Sequence, residues 1–303
     1  MTVSLKASRC RRHALPVVAS ADKIAPMERN IRMWIAYDGT EFHGWQSQPQ
    51  LRTVQGLIEQ AIRRVVRHHI TLNGASRTDA GVHARGQAAV FSTTCPIPCH
   101  NLKHAIGSRL PKDISITHVR EVPAGFRASS EAVSKLYRYR IHNHSRRPVE
   151  EQLQRYTYHF WHPLDTAGMQ EAARHLVGTH DFAAFATSGH QRLTTVRTVL
   201  RCEIHRHFDE VRIDVEGTGF LYNQVRNMVG TLIEVGRGHW SADRVPAILA
   251  SKDRSQAGPT VPARGLCLEW IRYDLVDRPV KTQPDALLTI SGADNIAPEP
   301  PPE

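Results

Sequence analysis

Apolar and polar residues alternate along this chain in two periods, and the switches between them mark the elements. Ile31 to Tyr37 reads as a strand and stops at Asp38-Gly39, a turn pair. Thr53 is placed to cap a helix whose apolar face is Val54, Leu57, Ile58, Ala61 and Val65, at the helical spacing. Its opposite side carries Arg63, Arg64 and Arg67, a face that is ordinarily just solvated, with RNA contact as the alternative. Ile70 to Leu72 follows, then a polar loop punctuated by glycine from Asn73 to Gly86, and a strand around Ala88 to Phe91. A short helix is predicted over Leu102 to Leu110, closed by Pro111, with strands at Ile114 to Val119 and Ser134 to Ile141.

The second half continues in the same style. Thr166 to Val177 has helical period and a glycine stop at Gly178. Val199 to His205 and Val211 to Val215 form a hairpin pattern, Asn223 to Val235 a helix, Ser241 to Ala250 another, and Gly265 to Tyr273 a last strand. Mixed strands and helices in two halves of similar size predict an α+β architecture, two related α/β lobes (30–127 and 128–275) around a groove. Residues 1–29 read as a basic extension and 276–303 as a Pro/Glu-rich tail, both expected to be disordered. Lys6, Arg9, Arg11 and Arg12 before Ala14 to Ala19 imitate a targeting peptide. That apolar stretch is at the minimum of the usual length, and Met27 offers an alternative start.

Composition narrows the field of partners. With 41% hydrophobic and 22% charged residues the 303-residue chain can bury a core without disulfides, and no apolar run approaches the ~20 residues a bilayer demands. Lys and Arg outnumber Asp and Glu by 39 to 29, so the chain carries +10 and suits a polyanion, nucleic acid or an anionic membrane surface. Five scattered cysteines do not make a disulfide framework. Cys95-Pro96-Ile97-Pro98-Cys99-His100 lacks the second ligand pair of a closed zinc site, so no metal is expected and the thiols fit a reducing cytoplasm.

The densest polar cluster is Gly74 to Gln87. Three glycines there surround Arg77, Asp79, His83 and Arg85. A carboxylate beside guanidinium groups stays ionised well below neutral pH and can act as nucleophile or base. An Asx-type turn with solvated charges fits the same residues, and so does an Asp79/His83 acid–base pair.

Ser76-Arg77-Thr78-Asp79-Ala80-Gly81-Val82-His83-Ala84 closely resembles the signature of the tRNA pseudouridine synthase A (TruA) family. The resemblance extends to Tyr37 to Gln46, Leu136-Tyr137-Arg138-Tyr139, Asp181 to Phe185, Thr195 to Thr198, Phe220 to Gly236 and Gly265 to Leu268. These lie in family order from about Asn30 to Asp274. It implies a pseudouridine synthase fold with a mixed, mostly antiparallel sheet, flanking helices and a basic cleft. The implied enzyme is a homodimer that isomerises uridine at tRNA positions 38, 39 and 40 in the anticodon arm, without cofactor or metal. By the same resemblance Asp79 is the nucleophile, Tyr137 stacks on the base, and Arg226 pairs with the carboxylate. Arg77 holds the space of the flipped-out nucleotide, and Leu266 lines the uracil pocket.

Each role suits its residue. A detached uracil must be kept in a closed, dry pocket, which an aromatic face and an apolar wall supply. Arg226 among Val225, Met228, Val229, Leu232 and Ile233 is costly unless paired, although a surface position would also satisfy it. Tyr137 could equally be core packing on one strand face with Tyr139 and Ile141. Gln224 stands where the family commonly has an apolar residue, a departure that could alter how Arg226 is held. A non-catalytic RNA binder is disfavoured by the presence of Asp79, Tyr137 and Arg226 together, whereas other structured RNAs stay open as substrates.

Overall fold

The computed structural model describes residues 28–187 and 194–274. Nearly all of the expected basic extension and the Pro/Glu tail, with Cys10, lies outside the described residues. The first half begins with strand β1 (Arg29–Tyr37) and helix α1 (Val54–Val66). The short β2 (Asn73–Gly74), β3 (His83–Thr93), α2 (Cys99–Gly107) and β4 (Ile114–Val122) complete it. The second half opens with β5 (Ala132–His142), α3 (Glu151–Tyr156), β6 (Tyr158–His159), α4 (Thr166–Arg174) and β7 (Gly178–Asp181). It ends with β8 (Val196–His207), β9 (Glu210–Gly217), α5 (Gln224–Gly236), α6 (Arg244–Ser251) and β10 (Leu266–Tyr273).

The strands form one sheet in the order β4-β1-β3-β10-β5-β9-β8-β7, with β2 on β3 and β6 on β5. Pairing is antiparallel except for β10 on β3 and β6 on β5. The architecture is thus the mixed, mostly antiparallel α+β fold expected. The last strand is inserted at the centre: Leu266 and Leu268 face Tyr139 and Tyr137 across one edge, while Cys267 sits opposite His83 across the other. One buried core runs through both halves, with α1 and α2 packed together on the first and α4 against α5 and β8 on the second.

Several local expectations change. Thr53 is the residue before α1 but makes no side-chain cap. The amides of Val54 and Gln55 are already met by the carbonyls of Gly44 and Trp45 (3.2 and 3.0 Å), so the helix start needs no hydroxyl. The buried face of α1 includes Ile62 and Val66, with Leu57 and Val65 only partly covered. Strand β3 begins at His83, which shortens the irregular loop to 75–82, and α2 begins three residues before the predicted helix, directly after Pro98. Helix α6 starts at Arg244, since Ser241 and Ala242 form the preceding turn. The pieces α3, β6 and β7, of six residues or fewer, carry too little periodicity to be seen in the sequence.

Candidate active site

The loop 75–82 is built by close backbone contacts with 38–46. Trp45 N–H donates to the Thr78 carbonyl (3.0 Å) and Gly81 N–H to the Phe42 carbonyl (3.2 Å). The hydroxyl of Tyr37, buried at the end of β1, hydrogen-bonds the Thr78 hydroxyl at 2.7 Å. Gly44 has φ +87°, and a Cβ there would lie 2.7 Å from the Thr78 oxygen, while one on Gly39 would meet the Val82 oxygen at 2.0 Å. The glycines of the 37–46 segment therefore let it press directly on the loop that carries Asp79.

Helix α5 approaches from the other half. Every one of its residues is buried except Arg226, the one charged side chain the helix brings to the cleft. Arg226 Nε donates to the Val261 carbonyl (2.8 Å), and Nη1 donates to both Asn223 Oδ1 (2.8 Å) and Asp79 Oδ2 (3.3 Å). The surface alternative for Arg226 is excluded: 16% of its side chain is exposed, against 24% for Asp79. Asp79 differs from expectation. Burial pushes its pKa up, and Arg226, which pulls it down, offsets only part of that push. The second expected guanidinium is absent from the pair, because Arg77 is exposed along the cleft and makes no ion pair with Asp79 among the described residues.

Tyr137 is 6% exposed, its ring edge-to-face with Phe220 at 5.4 Å and its hydroxyl bonded to the Ser76 hydroxyl at 2.9 Å. Burial raises its pKa to about 12, so it stays a neutral phenol. It packs against the core, yet it also lines the same cleft as Asp79, Arg77, Arg226 and Leu266. That cleft is about 1400 Å³, bounded by both halves of the chain, and carries Arg77, Lys135, Arg197 and Arg226 against Asp79 as its one acid among the described residues. All five residues named from the sequence thus open onto one basic cavity. An ionisable carboxylate, an aromatic ring and a leucine lining one cavity can receive one unstacked nucleotide and offer it a nucleophile.

His83 does not take part in this arrangement. Its Nδ1 accepts from Gly39 N–H (3.0 Å), which leaves Nε2–H to donate to the Arg264 carbonyl (3.1 Å). Burial pushes its pKa down, against the opposing pull of Asp38, so it acts as a neutral bracket between 39 and 264. The Cys95–His100 segment wraps Arg29 instead, whose Nη1 donates to the carbonyls of Cys95 and Ile97 (2.9 and 3.1 Å). On α1, Arg63 pairs with Glu59 at 3.2 Å, and none of Arg63, Arg64 and Arg67 lines the cleft. Gln224 leaves Arg226 alone: its Oε1 accepts from Leu221 N–H at 2.8 Å and closes the turn before α5.

Sequence reasoning missed Asn223, Ser76, Phe220 and the Val261 carbonyl. Ser76, Phe220 and Asn223 lay within the recognised segments, but only the three-dimensional contacts distinguish them there. Val261 had no signal at all, since it contributes a backbone atom.

The family model described as "tRNA pseudouridine synthase" matches residues 33–129 and 172–274. The chain is 46% identical over 245 residues to tRNA pseudouridine synthase A of Acetivibrio thermocellus, covering 81% of this chain and all of that protein. It is 45% identical over 251 residues to tRNA pseudouridine synthase A 2 of Clostridium tetani, covering 82% of this chain and all of the relative. A Thermoanaerobacter tRNA pseudouridine synthase A is 44% identical over 245 residues, again along its whole length and 81% of this chain.

Proposed function

The chain belongs to the tRNA pseudouridine synthase family and is a tRNA-modifying isomerase, and from that premise we propose that it acts on uridines 38, 39 and 40 of the anticodon stem-loop, with Asp79 as nucleophile. The observation that carries the residue assignment is the Asp79–Arg226 pair, joined across the two halves at 3.3 Å in the cleft that Tyr137 and Leu266 also line. The reaction breaks the C1′–N1 bond of uridine and joins the same base through C5; C5 then gives up its proton and N1 takes one up, so atoms and charge balance and nothing external is consumed. Asp79, as carboxylate, holds the covalent intermediate. Arg226 favours its ionised form against burial, and Tyr137 and Leu266 keep the detached uracil oriented.

Arg77, exposed at the rim, occupies the space the flipped nucleotide leaves. The reading includes a cytoplasmic homodimer with tRNA lying across both subunits and no cofactor or metal, as the family resemblance implies. The four basic side chains of the cleft support an RNA backbone as ligand. Incubation of the purified protein with unmodified tRNA transcripts, followed by mapping of pseudouridine at each nucleotide, tests it. Pseudouridine confined to 38–40, made by wild type in excess EDTA and not by Asp79→Asn, is the expected result. Modification elsewhere, loss on chelation, or turnover by Asp79→Asn refutes the corresponding assignment.

A further inference from the structure

Arg226 has no acceptor of its own, so an atom that hydrogen-bonds its guanidinium must accept, and since only the oxygen of an asparagine amide accepts, this fixes the orientation of Asn223. Asn223 Oδ1 takes one hydrogen of Nη1 at 2.8 Å, and Asp79 Oδ2 takes the other at the longer 3.3 Å. The Asn223 amide is anchored in turn, because Nδ2 donates to the Thr187 hydroxyl at 3.0 Å and Thr187 N–H donates to the Tyr222 carbonyl at 3.2 Å. The backbone of Asn223 is left-handed, φ +59°, at the residue immediately before α5. That conformation turns its side chain back over the first turn toward the residue three places on, and asparagine tolerates it better than most side chains do.

We propose that Asn223 is a positioning residue for the isomerisation: together with the Val261 carbonyl it clamps the Arg226 guanidinium so that its remaining Nη1 hydrogen points at Asp79. The inference rests on Asp79 being the nucleophile. Val261 and Asn223 hold two edges of the fork, which removes rotation about the end of the side chain. Without Asn223 the guanidinium keeps one anchor and can swing away from the carboxylate. Burial then acts on Asp79 with less opposition, so the carboxyl gains its proton at a higher pH.

Asn223→Gly is the informative variant, since glycine adopts the left-handed backbone freely and so removes the acceptor, with the Thr187 bond that anchors it, without straining the chain. It is to be compared with wild type, Asn223→Asp and Asp79→Asn by single-turnover rate against pH, tRNA affinity and thermal melting. The expected result for Asn223→Gly is a 10- to 100-fold slower turnover at neutral pH, with tRNA affinity within about threefold of wild type. Its acid limb should move to higher pH and its rate recover in part as pH rises. Asn223→Asp keeps the acceptor but sets a second negative charge beside Asp79, so its acid limb should also move upward with a smaller loss at high pH. An Asn223→Gly rate and pH profile equal to wild type, with Asp79→Asn inactive, overturns the clamp while leaving the nucleophile in place. A slower rate with an unmoved acid limb and a lowered melting temperature also overturns it, as that is a merely structural role. Activity in Asp79→Asn would instead remove the reading on which the clamp depends.

Discussion

Replacing Arg226 by alanine removes three hydrogen bonds, but only one of them reaches a charge. The Val261 and Asn223 contacts hold the guanidinium, and the 3.3 Å contact to Asp79 is what the reaction uses. A hydrogen bond to a charged group is worth about 1.5–3 kcal/mol, and Asp79 is covered enough that solvent replaces little of it. Turnover should therefore fall roughly 10- to 150-fold at neutral pH, since each 1.4 kcal/mol is about tenfold.

The pH dependence has a definite sign. Asp79 must be ionised to attack, burial raises its pKa and Arg226 lowers it. Without Arg226 the carboxyl stays protonated to higher pH, so the acid limb of kcat/KM shifts upward and activity returns in part as pH increases. Arg226→Lys retains a positive charge but cannot serve three acceptors from one fork, and should fall between the two. Single-turnover rates on tRNA transcripts across pH 5 to 9 measure all three proteins. An acid limb at the wild-type pH in Arg226→Ala, or a loss of tRNA affinity as large as the loss of rate, refutes the argument.

Asp79→Asn should gain stability on wild type as pH rises toward neutral. An aspartate whose folded pKa is raised stabilises the fold relative to its ionised form only at low pH, and loses that contribution as pH climbs through the folded pKa; melting curves at several pH values read it. Tyr137→Phe loses the Ser76 bond, about 0.5–1.5 kcal/mol of stability, and should keep most of its turnover, whereas Tyr137→Ala should lose turnover far more than affinity in paired binding and rate measurements. Gly44→Ala forces a Cβ against the Thr78 oxygen at positive φ, a strain of about 1–3 kcal/mol that should lower both melting temperature and rate, and an unchanged rate would show that the 37–46 segment does not hold the Asp79 loop. Affinity for tRNA should fall steeply with salt, with a linear log–log plot, and a flat plot would remove phosphate contacts as the source of binding.

The candidate site was legible through the family resemblance, which rests on short contiguous segments of the chain. Taken alone, the residues left alternatives open: a solvated turn for the Asp79 loop, core packing for Tyr137 and a surface position for Arg226. The pK direction of Asp79 was not legible. Proximity in sequence placed Arg77 beside it, while the folded loop leaves Arg77 exposed and buries the carboxylate, so desolvation outweighs the one guanidinium that arrives. His83 was ambiguous for a similar reason, since only the fold shows that both ring nitrogens meet backbone groups of Gly39 and Arg264.

Helix and strand periods, the glycines that admit close backbone approach and the excess of positive charge are properties of neighbouring residues, and these the amino-acid sequence determined by itself. The strand order, the insertion of β10 between β3 and β5, and the meeting of residues 79, 223, 226 and 261 were decided only by the tertiary structure. Local propensity sets which face of an element is apolar, whereas burial of all those faces in one core sets which distant elements become neighbours. Desolvation depends on that second step, so a carboxylate's identity can be read from the chain but its acidity only from what finally covers it.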